Sequence, residues 1–317
     1  MGFTDRFLLG ENVTIVVSEE NTKVLQVKNK SGEGIMTSHK IIGGVYLIFN
    51  DFHMENFYSD VTHDTNVFCI DYCREGRIEH IETDGSYCYI ESGYLKVDDR
   101  SNHNKKFSFP LSHYHGITIV FFLDEAPNSI TNTFRDFPVD LRNLKEKYCN
   151  NKKSFVIRNE ETIDHIFKKL YEAPHNIKNY YYKIKIMELL LYLDVLEISD
   201  CYQGKPYFYK TQLEKVKAIK EFMTSQLETH YTLDELSQRF NISLTSMKKC
   251  FKGIYGSSIY AYMKMYRMNK AAVLLSTTDV SITEIAGKLG YNSSSKFAAA
   301  FKAVIGKNPR EYRKSLT

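Results

Sequence analysis

Residues 281–313 read SITEIAGKLGYNSSSKFAAAFKAVIGKNPREYR. Ser281 and Glu284 form a capping box, which predicts that a helix begins there. Gly290 lies just past the last apolar position of that helix, where a left-handed residue commonly ends a helix. A second helix is predicted to begin at a small polar residue and to bury two phenylalanines four positions apart: Asn292 or Ser293, then Phe297 and Phe301. The stretch therefore predicts a helix-turn-helix.

The same pattern occurs once before in the chain. Thr232 and Glu235 form a second capping box, Asn241 lies at the turn, and Ser243 opens the next helix. The offset between the copies is 49 residues at the first helix and 50 at the second, which carries Phe251. Two helix-turn-helix units in tandem are a more specific signal than one, because short apolar helices match the pattern by chance.

From about Gln212 to Thr317 the chain resembles the DNA-binding domain of the AraC/XylS family of bacterial transcription regulators. The residues that agree in order and spacing are Leu236, Phe251, Lys252, Gly256, Arg267, Ala271, Leu274, Leu275, Ile282, Ile285, Ala286, Gly290, Tyr291, Phe297, Phe301, Lys302, Gly306, Pro309, Tyr312 and Arg313. The resemblance implies double-stranded promoter DNA as a partner and RNA polymerase as a second partner. It also favours an activator over a repressor.

The charge is distributed unevenly along the chain. A chain of 317 residues is long for one domain and suits two. Residues 212–317 contain 17 Lys and Arg against 8 Asp and Glu, whereas residues 1–211 contain 25 against 30. This asymmetry suits a nucleic-acid-binding domain joined to a domain with another task.

The N-terminal part is predicted to be a β domain. Short β-prone runs occupy residues 13–17, 24–27, 45–49, 66–72, 77–82, 87–90 and 117–123. Turn signals separate several of them, at residues 74–76, 84–86, 92–93 and 98–99. This spacing predicts a sandwich or a small barrel, and small barrels can enclose one ligand. The resemblance implies a cupin-like β-barrel over about residues 1–125.

After Pro127 the pattern becomes helical. Residues 162–172 and 178–198 are each predicted to form a helix with one buried face. The resemblance implies that this helical pair, within about residues 140–198, dimerises. The second helix supplies the candidates for that contact: Ile186, Leu189, Leu190, Leu193 and Leu196. Packing in the monomer core is the alternative for each of them.

A linker is predicted between the two parts. Residues 199–211 follow neither the helix nor the strand period, and they contain Gly204 and Pro206. The predicted fold class is therefore α+β with two domains. Residues 1–198 form a sensing and dimerisation domain, and residues 212–317 form an all-α domain with two helix-turn-helix units.

In a helix-turn-helix the second helix lies in the major groove, with its N-terminal residues at base edges. In the first unit the positions left available are Thr245, Ser246, Lys248, Lys249 and Lys252. Each lysine there either donates to guanine or contacts a phosphate without reading sequence. In the second unit the polar positions are Ser294, Ser295 and Lys296. Lys302, Arg313 and the start of the helix after Pro309 are assigned to phosphate.

The second unit is predicted to bind less specifically than the first. Ala298, Ala299 and Ala300 offer methyl groups but no hydrogen bonds to bases. The AraC/XylS family commonly carries a long polar residue at the position of Ala299. Base selection is therefore assigned mainly to Thr245 through Lys249 of the first unit.

Signals for a ligand or a metal are weaker. His113 and His115 have the spacing of metal-binding cupins, but the glutamate that follows in those proteins is missing, so no metal and no cofactor are predicted. Cys69 and Cys73 share a strand face, and buried free thiols explain them. The candidates for lining a ligand pocket are Tyr46, Tyr72, Tyr87 and Tyr89, with strand packing as the alternative.

These patterns favour a DNA-binding transcription regulator, not an enzyme, whose N-terminal domain senses a small molecule or a partner and forms a homodimer. Two alternatives stay open: an N-terminal domain that only dimerises or binds proteins, and a cupin enzyme with a basic tail. The enzyme is disfavoured because the chain has no nucleophile elbow, P-loop or paired-carboxylate motif. Scattered cysteines, the lack of a signal-peptide pattern and short apolar runs predict a cytoplasmic location without a membrane partner.

Overall fold

The computed structural model describes residues 12–58, 66–81, 85, 87–100, 106–149, 155–158, 160–198 and 208–315. The chain divides into two compact units, Met1–Tyr207 and Phe208–Thr317. This division falls within the segment 199–211, where a linker is predicted. Gly204 and Pro206 of that segment lie outside the described residues.

The first unit is built on an antiparallel sheet. Its strands are β1 (Val13–Ser18), β2 (Thr22–Asn29), β3 (Gly32–Ile42), β4 (Val45–His53), β5 (Asn56–Tyr58), β6 (Val67–Ile81), β7 (Tyr87–Glu91), β8 (Tyr94–Asp98), β9 (Lys106–Ser108), β10 (Tyr114–Phe122) and β11 (Phe155–Arg158). The hydrogen-bonded order is β1-β2-β3-β4-β10-β6-β8-β11. β6 also pairs with β7 and β9, and β5 pairs with β9.

Two of the predicted strands, and the turn between them, form the single long strand β6. The register between β6 and β10 shifts at His115 and Gly116, which is a β-bulge. Gly76, taken as part of a turn, has a φ of +86° at this bulge. A Cβ at Gly76 would lie 2.3 Å from the carbonyl oxygen of His113. The prediction of a turn at 74–76 is therefore wrong, because a glycine marks a bulge as readily as a turn.

Apolar side chains cover both faces of the sheet. One face packs under four helices: α1 (Ala126–Thr133), α2 (Leu141–Cys149), α3 (Glu161–Tyr171) and α4 (Lys178–Val195). The other face packs against the short strands β5 and β9 through Phe52, Phe57 and Phe109. Since alternate residues of a strand point to opposite faces, Cys69 and Cys73 share the second face, as predicted.

The strands form an open, folded sheet. Within the described residues β1 and β11 end the hydrogen-bonded path, and each pairs with one neighbour. The long strand β6 carries the sheet around the second core, because its first half pairs with β8 and β10 and its last residues pair with β7. The closed cupin-like barrel implied by the resemblance is not confirmed.

The leucines and isoleucine predicted to dimerise lie in the core of the first unit. Ile186, Leu189, Leu190 and Leu193 are 0% exposed and face the sheet, and Leu196 packs beside them partly buried. A side chain that is buried by its own unit cannot contact a second chain. The assignment of Ile186, Leu189, Leu190 and Leu193 to a dimer contact is therefore wrong, and the monomer-core alternative is confirmed for these four residues.

The second unit consists of helices packed around a long central one. They are α5 (Lys210–Ser225), α6 (Leu233–Arg239), α7 (Leu244–Tyr255), α8 (Ile259–Thr277), α9 (Ile282–Lys288), α10 (Ser294–Ile305) and α11 (Pro309–Lys314). The pairs α6-α7 and α9-α10 are the two predicted helix-turn-helix units, and α8 joins them. No helix in the described ranges of either unit is both long and apolar enough to span a membrane.

Local signals define the ends of these helices. Glu235 N–H donates to Thr232 Oγ1 at 3.2 Å, and Thr232 N–H donates to the Glu235 carboxylate at 2.7 Å, which completes the predicted capping box. Asn241 and Gly290 take positive φ values of 47° and 79° at the two turns. Serine hydroxyls cap the N-termini of three helices: Ser243 caps α7, Ser281 caps α9 and Ser293 caps α10.

Candidate nucleic-acid interface

The second helix of the first helix-turn-helix unit, α7, presents a basic stripe to solvent. Its apolar side is buried: Met247, Cys250, Phe251, Ile254 and Tyr255. The opposite side carries four exposed residues at helical spacing, which we call the α7 face: Thr245, Lys248, Lys249 and Lys252. Residues three and four apart on a helix are neighbours, so these side chains form one continuous surface. All four belong to the set predicted to meet DNA.

The equivalent surface of α10 has the same position but a different chemistry. Fifty residues after each member of the α7 face stand the residues of the α10 face: Ser295, Ala298, Ala299 and Lys302. Phe297 and Phe301 hold the opposite side of α10 in the core. Three lysines on the first face thus correspond to one lysine on the second. Lys296 is exposed beside the α10 face.

Two of the predicted serines make hydrogen bonds within the unit. Ser246 is half-buried, and its hydroxyl accepts from the Ser243 hydroxyl at 2.9 Å. Ser294 Oγ donates to Thr283 Oγ1 at 3.3 Å, which joins α10 to α9. A base contact by either serine would compete with these bonds. The exposed members of the two faces are therefore the stronger candidates, and the assignment of Ser246 and Ser294 to DNA stays a prediction.

Arg313 does not lie free for a phosphate. Its guanidinium donates to the carbonyl oxygen of Val280 at 2.6 Å and reaches that of Thr278 at 3.5 Å. These bonds hold the segment before α9 against α11, and the assignment of Arg313 to phosphate stays a prediction. The start of α11 is also occupied, because the Glu311 carboxylate accepts the Asn308 N–H at 3.1 Å.

The loop 227–230 makes hydrogen bonds to the long helix α8 and to the turn of the second unit. Arg267 of α8 is 7% exposed, and it donates to the carbonyl oxygens of Leu227 at 3.1 Å and Thr229 at 3.0 Å. His230 Nε2 lies 2.8 Å from the carbonyl oxygen of Gly290 in the second turn. The loop 227–230 thus joins the long helix to the second unit, and Arg267 has a structural role in this connection.

The tyrosines predicted to line a ligand pocket do not gather in one place. Tyr46 packs between the sheet and β5–β9, edge-on to Phe122. Tyr72 lies on the opposite, helix-covered face, where its ring stacks on Phe167 at 4.2 Å. The other two are on β7, where Tyr89 donates to Glu79 at 2.7 Å and Tyr87 pairs with Ile81. The prediction that these four residues line a shared pocket is therefore wrong.

A group of buried charges, which the sequence analysis did not single out, lies within the sheet instead. Asp71, Lys96, Asp98 and Arg100 form a closed set of ion pairs, with separations from 2.5 to 3.3 Å. Thr118 donates to Asp71 at 2.8 Å. Burial alone would raise the pKa of Asp71, but Arg100 and Lys96 outweigh it and hold the pKa below its usual value. Two positive and two negative groups balance, so the set carries no net charge.

The two histidines of the HxH pair have different surroundings. His113 Nδ1 lies 3.1 Å from the carbonyl oxygen of Leu111. His115 lies beside Asp51 and His53 of the neighbouring strand β4, and the ligand atoms of these three residues are within 4.8 Å of one another. Sequence reasoning missed this group because its members are far apart in the chain. The available signal was the pair Asp51 and His53, two positions apart just beyond the predicted strand 45–49.

Comparisons with known proteins agree on the C-terminal unit. A helix-turn-helix domain family matches residues 236–315. The Msm operon regulatory protein of Streptococcus mutans is 30% identical over 101 residues, which are 32% of this chain and 36% of that protein. The transcriptional activator AarP of Providencia stuartii is 29% identical over 102 residues, 32% of this chain and 76% of that protein.

This chain is also similar to a solved structure, a transcriptional regulator with an AraC-type DNA-binding domain from Chromobacterium violaceum. The match covers 33% of this chain and 93% of that one, with 24% identity and a TM-score of 0.31. The chain matches only about a third of the length of the S. mutans relative. Both relatives are named as regulators of transcription or of an operon.

Proposed function

We propose that the chain, whose C-terminal domain resembles that of the AraC/XylS family, is a transcription regulator that binds promoter DNA with both helix-turn-helix units. The observation that carries this proposal is the α7 face, a stripe of lysines on a helix whose other side is fixed in the core. Such a helix can enter a major groove without rearrangement. The α10 face, equivalent in position, would enter the next groove, about 34 Å along the same side of the duplex.

In this proposal the α7 face and the α10 face contribute unequally to base selection. Lys248 and Lys249 lie in the first half of α7, where a groove-bound helix meets base edges. Lys252 lies about one helical turn after Lys248 and Lys249 on α7, and Lys302 has the equivalent position on α10. Both of these lysines contact phosphate in this proposal. Ala298 and Ala299 offer only methyl contacts, so α10 adds affinity with little base selection.

We expect Lys249→Ala and Lys302→Ala to weaken DNA binding in different ways. Lys249→Ala should reduce specific binding by about 1–3 kcal/mol and relax base preference at one position. Lys302→Ala should weaken binding to specific and random DNA alike and lower the slope of log K against log salt by about 1, because one phosphate contact is lost. Fluorescence anisotropy with a footprinted promoter site and a scrambled duplex, at several salt concentrations, measures both effects.

Lys264 on α8 lies outside both faces and serves as the control for the loss of a positive charge alone. Lys264→Ala should leave the specificity ratio unchanged. If all three variants reduce binding to the two duplexes by the same factor, the assignment of base reading to α7 is wrong.

We place the dimer contact on the outer side of α4. Its exposed residues Tyr180, Ile184, Leu191 and Val195 are between 43% and 75% exposed and recur at spacings of four and seven. An apolar stripe of this period suits a second helix of the same kind, and two-fold contacts are the commonest in homo-oligomers. This stripe replaces the buried residues that the sequence analysis assigned to the dimer.

The double variant Ile184→Glu, Leu191→Glu should convert the dimer to a monomer. In a two-fold contact the stripe of one copy meets the same stripe of the other, so the glutamates of both copies are brought together. Like charges in contact cost several kcal/mol, at least about a hundredfold in the dimer dissociation constant. Sedimentation or light scattering gives the mass. Asn179→Glu, on the same helix but off the stripe, is the matched control. A double variant that keeps the wild-type mass would remove α4 from the interface.

The remaining role of the first unit is control of the DNA-binding unit. A small molecule or partner that binds one arrangement better than another would shift the population, with a coupling of about 1–3 kcal/mol. A first unit that only dimerises is the alternative, and a metabolite-dependent rise in its apparent stability separates the two. The proposal also includes contact with RNA polymerase, activation of transcription and a cytoplasmic location. A reducing compartment suits the buried free thiols of Cys69, Cys73, Cys149 and Cys250.

A further inference from the structure

From the geometry around β4 and β10 we infer a divalent metal site formed by Asp51, His53 and His115. The class of ion is a first-row transition metal of the Zn²⁺ type, which prefers imidazole nitrogen and carboxylate oxygen. The site belongs to the first unit, whereas the candidate residues on α7 and α10 belong to the second. It does not rest on the function proposed for those helices.

The sheet brings the three ligands together by its register. Asp51 and His53 are two apart on β4 and therefore point to the same face. Asp51 is directly opposite His115 of β10, and side chains opposite each other across an antiparallel pair have Cβ atoms about 5 Å apart. Three donors thus converge above one sheet face without any contribution from a loop.

The distances suit one ion. Asp51 Oδ1 lies 3.0 Å from His53 Nε2 and 3.5 Å from His115 Nε2. Ligand atoms on a tetrahedral Zn²⁺, with bonds of about 2.0–2.1 Å, are about 3.3 Å apart. The two imidazole rings stand nearly perpendicular, 5.2 Å between centroids, so neither blocks the nitrogen of the other. Two histidines and one carboxylate leave a fourth position for water or a ligand.

The strands that carry the ligands are internal to the sheet. β4 pairs with β3 and β10, and β10 pairs with β4 and β6. Ligands on such strands are held in place by backbone hydrogen bonds, which reduces the cost of assembling the site. Two carboxylates flank it: Glu33 is opposite His53, and Glu75 is opposite His115. Each of them is paired with a cation, Glu33 with Lys28 and Glu75 with Arg74, so the negative charge that attracts a metal ion comes from Asp51.

The competing explanation is a metal-free carboxylate hydrogen-bonded to two imidazoles. It predicts no saturable uptake of metal at this place. A second alternative places a metal on the HxH pair, in which case His113 would be as important as His115. Both alternatives are distinguished by substituting single ligands.

The experiment titrates chelator-treated full-length protein with ZnCl₂ by calorimetry and with CoCl₂ by visible absorption. At the same metal concentration, we expect the wild type to bind one equivalent of metal more than Asp51→Asn, His53→Gln or His115→Gln. Where a variant still takes up metal, its affinity should be at least about tenfold weaker. His113→Gln, in the same HxH pair, and His165→Gln, exposed on α3, are the matched controls and should bind as the wild type does.

Circular dichroism and thermal unfolding without metal show whether the variants are folded. Asp51 and His53 are more than half exposed, so these two substitutions leave the core intact. Zn²⁺ should raise the melting temperature of the wild type and the controls but not of the ligand variants. No uptake by the wild type, equal uptake by Asp51→Asn and His53→Gln, or loss of uptake in His113→Gln would each overturn the inference.

Discussion

Replacing Phe301 with alanine is expected to destabilise the second helix-turn-helix unit by about 3–5 kcal/mol, the range for removing a buried phenylalanine. Phe301 is fully buried among Met268, Ile285 and Phe297. Its ring also meets Tyr312 edge-on at 5.5 Å, an arrangement that adds to the energy of burial alone. The variant leaves a cavity at the point where α8, α9, α10 and α11 converge.

Chemical denaturation of the wild type and the variant measures this loss. Lys302→Ala changes the adjacent residue, which is exposed, and should alter stability by no more than about 0.5 kcal/mol. The pair separates packing from DNA contact: Phe301→Ala should lose protection of the second half-site because its reading helix is no longer held, whereas Lys302→Ala stays folded. A loss of less than about 1 kcal/mol for Phe301→Ala would contradict the packing described for α10.

The second large effect is expected at Arg267. Arg267→Ala removes two charge-assisted hydrogen bonds to the carbonyl oxygens of Leu227 and Thr229 and leaves those oxygens without their partner. Hydrogen bonds to charged groups contribute about 1.5–3 kcal/mol each and are not additive, so we expect a loss of about 2–4 kcal/mol. Burial lowers the pKa of Arg267, and the guanidinium stays charged because its ordinary pKa is far above neutrality.

The loss at Arg267 should also alter how the two reading helices work together. The loop 227–230 contacts both α8 and the turn at Gly290, so it helps to set the separation of α7 and α10. The affinity of the wild type should fall when one or two base pairs are inserted between the half-sites, and that of Arg267→Ala should fall less. Arg239→Ala is the control, because Arg239 is exposed and only covers the Phe222 ring at 4.2 Å.

An equal sensitivity of Arg267→Ala and the wild type to half-site spacing would limit Arg267 to stability alone. Equal stability of Arg267→Ala and Arg239→Ala would contradict the two hydrogen bonds. The two measurements therefore test the hydrogen bonds of Arg267 and their consequence for DNA binding separately.

The second unit could be predicted almost entirely from its sequence because its signals are local. Capping residues lie within three positions of the groups they cap, and the apolar stripe of a helix repeats every three or four residues. The 50-residue repeat then identified equivalent positions on α7 and α10 without any structure. The contrast between three lysines and one on the two faces was visible in the same way.

The first unit was harder because its determinants are not local. A glycine at position 76 indicates a special backbone conformation, but only pairing with β10 decides between a turn and a bulge. Likewise, α4 is apolar on more than one side, so periodicity could not say which side meets the sheet. The structure assigns Ile186 and Leu190 to the core and leaves Ile184 and Leu191 outside.

The sequence by itself determined the two helix-turn-helix units, their boundaries and the basic face of the first reading helix, since each depends on neighbours along the chain. The tertiary structure decided the bond partners of Arg313, the exposed side of α4 and the meeting of His115 with Asp51 and His53. These features join residues that are tens of positions apart. Strand register and helix docking bring such residues together, and neither is encoded in any short stretch of sequence.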